Sequence, residues 1–262
     1  MKERIVEEIN RIEREERVRV LLAVESGSRA WGFASPDSDY DVRFIYVHEQ
    51  DWYLSVFESR DVIERMLEGD LDVSGWELRK TLRLFSKCNV ALNEWLGSPI
   101  TYLEVGGFRE QLLHLMPRYF NPIAVMHHYR SMAETALQAN YSDGQIGIKK
   151  LFYVLRPLFA CRWIEHTRRQ PPTEFAQLCD AAWVSDDERR WISGLLTAKA
   201  HAAEAMLIPL PQAQAAAIME QLERYQNANE FLAAPEKASK QELDEMLREW
   251  VRSPQASPAH QR

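Results

Sequence analysis

Asp39 and Asp41 are the side chains whose type and spacing most directly predict chemistry in this sequence. They come just before RFIYV, a run rich in branched and aromatic residues that is typical of a strand. Side chains two apart in a strand point to the same face, so the two carboxylates should lie together while Tyr40 and Val42 face the core. Adjacent carboxylates repel unless a cation lies between them, and hard divalent ions prefer oxygen ligands. The pair therefore predicts a Mg²⁺ site suited to phosphoryl or nucleotidyl transfer.

A Gly-Ser turn, Gly27-Ser28, stands upstream of this pair at the end of a predicted strand. Gly27 can adopt the tight conformation of a strand-to-helix turn, and a helix that begins at Ser28 would present free backbone N–H groups to a phosphate. Taken alone, Ser28 could be an ordinary helix cap and the two aspartates a capped polar turn. The combination favours phosphate and metal binding.

These residues resemble the signature of the polymerase beta-type nucleotidyltransferase superfamily: Gly27-Ser28, the following Gly32, and Asp39-Tyr40-Asp41 on the next strand. The longer string GSRAWGFASPDSDYDVR, with LDVSGWELRK, NVALNEWLGSPI and KKLFYVLRPLFACRWIE downstream, is similar to one bacterial branch of predicted nucleotidyltransferases. Some members of that branch are associated with RNA ligases. The resemblance covers roughly residues 20 to 170.

The resemblance implies a third carboxylate on a later strand. Asp72, in LDVSG, is the candidate, and Asp70 and Glu77 compete with it. Asp39 and Asp41 would hold both metal ions, whereas Asp72 would hold one and help to deprotonate the attacking hydroxyl. The implied cofactor is Mg²⁺ or Mn²⁺, and the implied donor substrate is an NTP.

Basic side chains gather in a predicted helix over residues 147–167. Lys149, Tyr153 and Arg156 share one face at i, i+4 and i+7, and Glu165 is the single acid between positions 149 and 169. This pattern predicts contact with a triphosphate or an RNA end, although a solvated basic stripe would look the same. Arg29 and Arg43 either contact substrate or pair with nearby acids. The candidate nucleotide-binding residues are Gly27, Ser28, Arg29, Lys149, Lys150, Tyr153 and Arg156.

Apolar runs and their periodicity place these residues on secondary structure. Strands are predicted at 18–24, 42–47, 61–67 and 71–75, the last two forming a hairpin. Helices are predicted over the first sixteen residues and over 76–88, 123–139, 147–167, 173–182, 186–205, 212–227 and 240–251.

The expected fold class is α+β. Residues 1–105 would form a nucleotidyltransferase catalytic domain with a small mixed sheet of the polymerase beta type. Residues 106–252 would form a mainly helical domain that binds nucleotide and substrate, and residues 253–262 a disordered tail.

Composition excludes several other classes. The 262 residues are 46% hydrophobic and 27% charged, which is typical of a globular protein. No apolar run approaches the ~20 residues of a membrane helix and the charged start has no signal-peptide core, so we expect a cytoplasmic protein without a membrane partner. Three widely spaced cysteines predict no zinc site. The net charge of −7 argues against broad adhesion to nucleic acid but leaves room for a small basic pocket.

The function expected from these observations is metal-dependent transfer of an NMP from an NTP to a hydroxyl acceptor, with release of pyrophosphate. The acceptor could be an RNA end, a protein hydroxyl or a small molecule, and the sequence does not decide among them. The alternative is a catalytically weak nucleotide-binding module that regulates or partners an RNA-processing system. A purely structural helical scaffold would leave residues 25–47 unexplained.

Overall fold

The first part of the chain forms a mixed sheet with its helices, and the second part is mainly helical. This computed structural model describes residues 1–35, 38–66, 69–200, 206–236 and 238–253. The first part contains α1 (Lys2–Glu16), β1 (Val18–Glu25), α2 (Gly27–Ala30), β2 (Tyr40–His48), α3 (Gln50–Tyr53), β3 (Val62–Met66), β4 (Leu71–Glu77), α4 (Leu78–Ser86), α5 (Val90–Leu96) and β5 (Thr101–Glu104).

The second part is mainly helical. It contains α6 (Phe108–Tyr119), α7 (Pro122–Asn140), β6 (Tyr141–Ser142), β7 (Gln145–Gly147), α8 (Ile148–Thr167), α9 (Phe175–Cys179), α10 (Asp186–Ala200), β8 (Leu207–Pro209), α11 (Gln212–Gln226), a 3₁₀ turn (Ala228–Glu230) and α12 (Gln241–Arg252). Strands β6, β7 and β8 form a small antiparallel sheet. The α+β class, with a mixed sheet followed by helices, is confirmed.

The five-stranded sheet has the order β3-β4-β2-β1-β5. Strands β2 and β4 pair in parallel, and the other neighbours are antiparallel. The predicted hairpin is the β3–β4 pair, in which Val62 lies opposite Trp76. The parallel pairing of β2 and β4 brings their N-terminal ends to the same edge of the sheet.

Helices cover both faces of this sheet. The apolar stripe of α1, with Ile5, Ile9 and Ile12, packs on the face that carries Val42 and Phe44. The opposite face packs against α4, α5, α6 and α12. Burial of both faces explains why β1 is apolar along nearly its whole length.

The helical part has a core of its own around α7 and α8. Trp31 and Phe33, which follow α2, are buried in this core rather than in the sheet. The Gly-Ser segment is therefore anchored on the helices. The division at residue 105 stays a prediction, and α12, which it assigned to the helical domain, packs against α4.

Several predicted boundaries were wrong. Helix α4 begins at Leu78 because residues 71–77 continue the strand, and α9 spans five residues only. Strand β5 and helix α6 were not predicted. Residues 201–205 of the predicted helix 186–205 and residues 254–262 of the predicted tail lie outside the described residues. Within the described part of the chain, no helix is both long enough and apolar enough to cross a membrane.

Candidate functional site

Asp41 and Asp72 lie directly opposite each other on the parallel strands β2 and β4. Their side chains point to the same side of the sheet because both residues have the same register in adjacent strands. Asp39 lies one residue before β2 and is exposed. The structure thus brings the third predicted carboxylate beside the Asp39-Asp41 pair, although Asp39 is not in a strand as the sequence had suggested.

Arg43, two residues further along β2, bridges two of these carboxylates. Its Nη2 donates to Asp41 Oδ1 over 3.0 Å and to Asp72 Oδ2 over 2.8 Å. Of the two readings left open for Arg43, the structure records pairing with nearby acids. The Arg43 side chain is four-fifths buried, which strengthens its attraction for both carboxylates relative to a surface pair.

The donor set at this point fits a hard divalent cation. Two carboxylate oxygens, one from each strand, already converge on a single positively charged nitrogen. Such oxygens are the ligands that Mg²⁺ and Mn²⁺ accept in proteins. Among the described residues, however, no three His, Cys, Asp or Glu side chains form a complete metal cluster. Asp41 and Asp72 are therefore the residues best placed to hold a metal ion, with Asp39 at the edge.

Of the two competing acids, Glu77 is committed to other contacts. Glu77 is buried and accepts bonds from the backbone N–H groups of Arg79 and Lys80, so it caps α4. The hydroxyl of Tyr53 also donates to Glu77 over 2.5 Å. Asp70 is exposed at the rim of the cleft. Glu77 has no free carboxylate oxygen to offer, which leaves Asp72 as the better third ligand.

Burial and like charge act together on Asp41. Desolvation is the main cause that raises the pKa of its carboxyl above the ordinary value, and the charges of Asp72 and Asp39 add to this effect. Arg43 opposes it. A bound cation would remove the repulsion, so the geometry favours cation binding at Asp41.

Gly27 packs directly on the Asp41 carboxylate. Its φ of +61° is in the left-handed region, and a Cβ at this position would lie 2.3 Å from Asp41 Oδ2. The N–H of Ser26 donates to the backbone oxygen of Asp41 over 2.8 Å, which joins the turn to β2. Ser28, the second residue of α2, lies on the same turn. Glycine is required here for both its conformation and its lack of a side chain.

Arg29 holds the loop that leads to Asp39. Its Nε donates to the backbone oxygen of Asp39 over 3.0 Å, and its Nη2 to that of Ser38 over 2.6 Å. Its guanidinium also lies 3.7 Å from the ring centre of Tyr40. These contacts assign Arg29 a positioning task in this structure.

Of the four α8 residues predicted to bind nucleotide, Tyr153 is close enough to the aspartates for their charges to act on its hydroxyl. Tyr153 is 40% exposed, and its pKa is raised first by burial and then by the charges of Asp41 and Asp39. The positive charge of Lys149 lowers the pKa of the Tyr153 hydroxyl and so opposes this effect. The Lys150 Nζ lies 5.7 Å from the Tyr153 ring centre. Lys149, Lys150 and Tyr153 therefore lie together on the first turns of α8.

The structure places Arg156 elsewhere, in the core. Its side chain is fully buried, pairs with Glu94 over 2.7 Å and donates to the backbone oxygen of Thr173. The guanidinium also lies 4.6 Å from the ring centre of Trp31. The prediction that Arg156 contacts nucleotide is corrected, because this side chain is committed to a buried ion pair.

Two positioning residues had not been predicted from the sequence. Glu25, fully buried at the end of β1, accepts from the N–H of Asp41 over 2.8 Å and from the Tyr102 hydroxyl. Lys199 of α10 donates to the Phe33 carbonyl and to the Ser35 hydroxyl, and so holds the loop after α2. Glu25 could have been found from the sequence, because it is an acid at the end of an apolar strand. No local signal marks Lys199.

The aspartates open onto a cleft of about 690 Å³, a volume in the range of small-molecule sites. Its lining combines the acids with Arg43 on one side and two tryptophans, Trp76 and Trp95, on the other. The indole centres of these tryptophans lie 4.0 Å apart. The cleft therefore offers both cation ligands and an apolar wall.

A mixed sheet with paired aspartates beside a Gly-Ser turn is the arrangement that the resemblance to the polymerase beta-type superfamily predicts. Over residues 1–249 the chain matches RlaP, the RNA repair pathway DNA polymerase beta family, and it belongs to that family.

Individual relatives add the following. The chain is 44% identical over 247 residues to the uncharacterized protein YcgL of Bacillus subtilis (strain 168), a match that covers 94% of this chain and 95% of that protein. A solved nucleotidyltransferase-like protein from Exiguobacterium sibiricum 255-15 is 12% identical, with 94% of this chain and 80% of that chain covered. The TM-score of 0.30 for that pair indicates no close correspondence of the two backbones.

Proposed function

We propose that this protein transfers a nucleoside monophosphate from an NTP to a hydroxyl at an RNA end, with release of pyrophosphate. The observation that carries the proposal is the convergence of Asp41 and Asp72 on one cationic nitrogen, with Asp39 beside them. The membership of an RNA repair family supports RNA as the acceptor. A protein hydroxyl or a small molecule remains the acceptor to test if RNA is not modified.

In this reaction the acceptor oxygen forms a bond to the α-phosphorus, and the bond from that phosphorus to the oxygen leading to the β-phosphate breaks. Pyrophosphate leaves with the electron pair. Asp72, whose side chain is 50% exposed, is accessible to take the hydroxyl proton. When bound by Asp39, Asp41 and Asp72, a Mg²⁺ or Mn²⁺ ion would neutralise phosphate charge and favour ionisation of the hydroxyl.

Residues near the aspartates are proposed to bind the phosphates of the NTP. The absence of a side chain at Gly27 lets the Asp41 carboxylate lie against the turn. The backbone N–H groups of α2 and the Ser28 hydroxyl are proposed to bind a phosphate. Lys149, Lys150 and Tyr153, at the start of α8, are proposed to bind the triphosphate. Arg43 and a metal ion would compete for Asp41 Oδ1 and Asp72 Oδ2, so metal binding should weaken the arginine bridge.

A catalytically weak nucleotide-binding module is the second candidate, and the Arg43 bridge favours it. Arg43 offsets one of the two negative charges of the carboxylate pair, which stabilises the pair in part without any metal ion. Such a protein would bind NTP without transferring it.

The test measures melting temperature and transfer in the same samples. Wild type should show a rise in melting temperature with NTP that depends on Mg²⁺, and it should label an RNA 3′ end from an α-labelled NTP. D41N/D72N should lose both. The matched control D186N/D187N removes two surface aspartates of α10 and should retain both.

Either of two outcomes would contradict the proposed function. Full transfer by D41N/D72N would remove the aspartates from the mechanism. A metal-dependent rise in melting temperature without transfer to RNA, protein or small-molecule hydroxyls would support the second candidate instead.

A further inference from the structure

A second cavity, separate from the aspartate cleft, lies between α4 and α12 and has a volume of about 480 Å³. Its floor is apolar, formed by Leu82 of α4 with Leu243 and Leu247 of α12. None of the residues that line it also lines the aspartate cleft. We call it the α4 groove.

The rim of the α4 groove is basic. It carries Arg79, Arg83, Lys87 and Lys240, against one acid, Asp244. The rim thus has an excess of positive charge, whereas the whole chain has a net charge of −7. The α4 groove is therefore a local positive site on an otherwise acidic protein, and such a site attracts anions.

Within the described residues, the basic side chains of this rim are not paired with acids. Arg83, Lys87 and Lys240 form no ion pair with any acidic side chain in the described part of the chain. Arg79 donates to the Tyr53 carbonyl over 3.4 Å, and its guanidinium lies 5.0 Å from the ring centre of Tyr53 and 5.9 Å from that of Trp52. The neighbouring Lys80, in contrast, pairs with Asp61 over 2.8 Å. Arg83 and Lys87 are exposed, so a ligand can reach both.

Aromatic and apolar side chains stand on the other side of the same arginines. A second, smaller recess shares Arg79 and Arg83 with the α4 groove and is also lined by Trp52, Val56 and Phe57. It contains three acids as well: Asp61 pairs with Lys80, Glu77 caps α4, and Glu58 lies at its edge. Phe57 is 83% exposed and Val56 is 92% exposed. Large apolar side chains that remain this exposed next to cations indicate a binding surface rather than a solvated loop.

Basic side chains beside exposed aromatic rings are the combination that binds single-stranded nucleic acid. The cations bind successive phosphates, and the rings stack on bases. Arg79, Arg83 and Lys87 are spaced by four residues, so they lie about 6 Å apart along the helix axis. Such a row of cations fits a ligand with several negative charges in an extended line. A compact anion would need only one or two of them.

We propose that the α4 groove binds the phosphodiester backbone of a single-stranded nucleic acid, with Phe57 stacking on one of its bases. The inference deepens the proposed function, since it gives the acceptor strand a second point of attachment. It can fail or hold independently, because it depends on none of the aspartates.

The test is fluorescence anisotropy of a labelled twelve-nucleotide single-stranded RNA with the full-length protein. R83E/K87E should bind at least tenfold more weakly than wild type, and its salt slope should be lower by about one to two, at ~0.7 per lost phosphate contact. The matched control R248E/R252E makes the same charge change on α12, outside the α4 groove, and should bind within twofold of wild type. F57A should weaken binding to single strands and leave duplex binding unchanged.

Binding by R83E/K87E within twofold of wild type would overturn the proposal, as would an equal loss in the control, which would indicate bulk charge. Capture by phosphatidylserine vesicles or by polyglutamate in preference to RNA would overturn it in favour of a membrane or an acidic protein. The Mg²⁺-dependent NTP effect on melting temperature should persist in R83E/K87E, and RNA binding should persist in D41N/D72N. Failure of the α4 groove is thus distinguishable from failure of the aspartate site.

Discussion

Gly27→Ala is the change that most directly tests how the turn and the aspartates depend on each other. The added Cβ would lie 2.3 Å from Asp41 Oδ2, closer than real Cβ contacts allow, so the Asp41 carboxylate must rotate away. The rotation breaks the convergence of Asp41 and Asp72 on which cation binding depends.

Gly27→Ala should lower the stability of the protein only moderately. Alanine in the left-handed region costs about 1–2 kcal/mol, and a displaced aspartate rotamer adds about 1 kcal/mol. At about 2–4 °C per kcal/mol, the melting temperature should fall by roughly 4–12 °C. Gly32→Ala is the matched control. Gly32 also has a positive φ, of +85°, but its added Cβ meets nothing within 4 Å.

The assay is the rise in melting temperature caused by Mg²⁺ with NTP, together with transfer to an RNA end. G32A should lose stability and retain both responses, whereas G27A should lose both while it remains folded. Wild-type metal and nucleotide binding by G27A would refute the reasoning, because the carboxylate would then not depend on the glycine. An equal loss in G32A would attribute the effect to backbone strain alone.

Two further predictions concern stability. Arg156→Met should lower the free energy of unfolding in urea by about 3–5 kcal/mol, because it leaves the Glu94 carboxylate buried without its cation; a loss below about 1 kcal/mol would contradict this. Burial lowers the pKa of His48 from 6.5 to about 4, so the unfolded chain takes up this proton at a higher pH than the folded chain does. The free energy of unfolding should therefore fall as the pH drops from 6.5 towards 4, by about 1–2 kcal/mol after allowance for partial exposure. His48→Phe keeps the stack on Trp52 and should remove this part of the pH dependence between pH 7 and 5; an unchanged dependence would assign it to another group.

Most strands of the five-stranded sheet could be predicted because they are strongly patterned. Residues 18–24 and 42–47 are apolar and β-branched enough to be buried on both faces, and the β3–β4 hairpin has a Gly-containing turn. The partner of β2 was not readable in the same way. A strand pattern does not say which neighbour it will have, and the parallel β2–β4 pair that sets Asp41 beside Asp72 is a tertiary outcome.

Short or polar elements were missed for physical reasons. Strand β5 has four residues, none of them fully buried, and it forms the sheet edge only through pairing with β1. Arg156 was misplaced because a charged residue in a basic stretch is usually exposed. Its partner Glu94 is 62 residues away, so the buried pair left no local pattern.

The contacts of Glu94 have a consequence for how substrate enters. Its carboxylate accepts from the indole N–H of Trp31, the hydroxyl of Tyr129 and the guanidinium of Arg156, so the segment after the Gly-Ser turn, α5, α7 and α8 are joined at one buried anion. A hinge between the sheet and the helices would have to open this junction. The cleft should therefore be preorganised, and a nucleotide should enter a site whose walls already stand in place, without an affinity penalty for closing them.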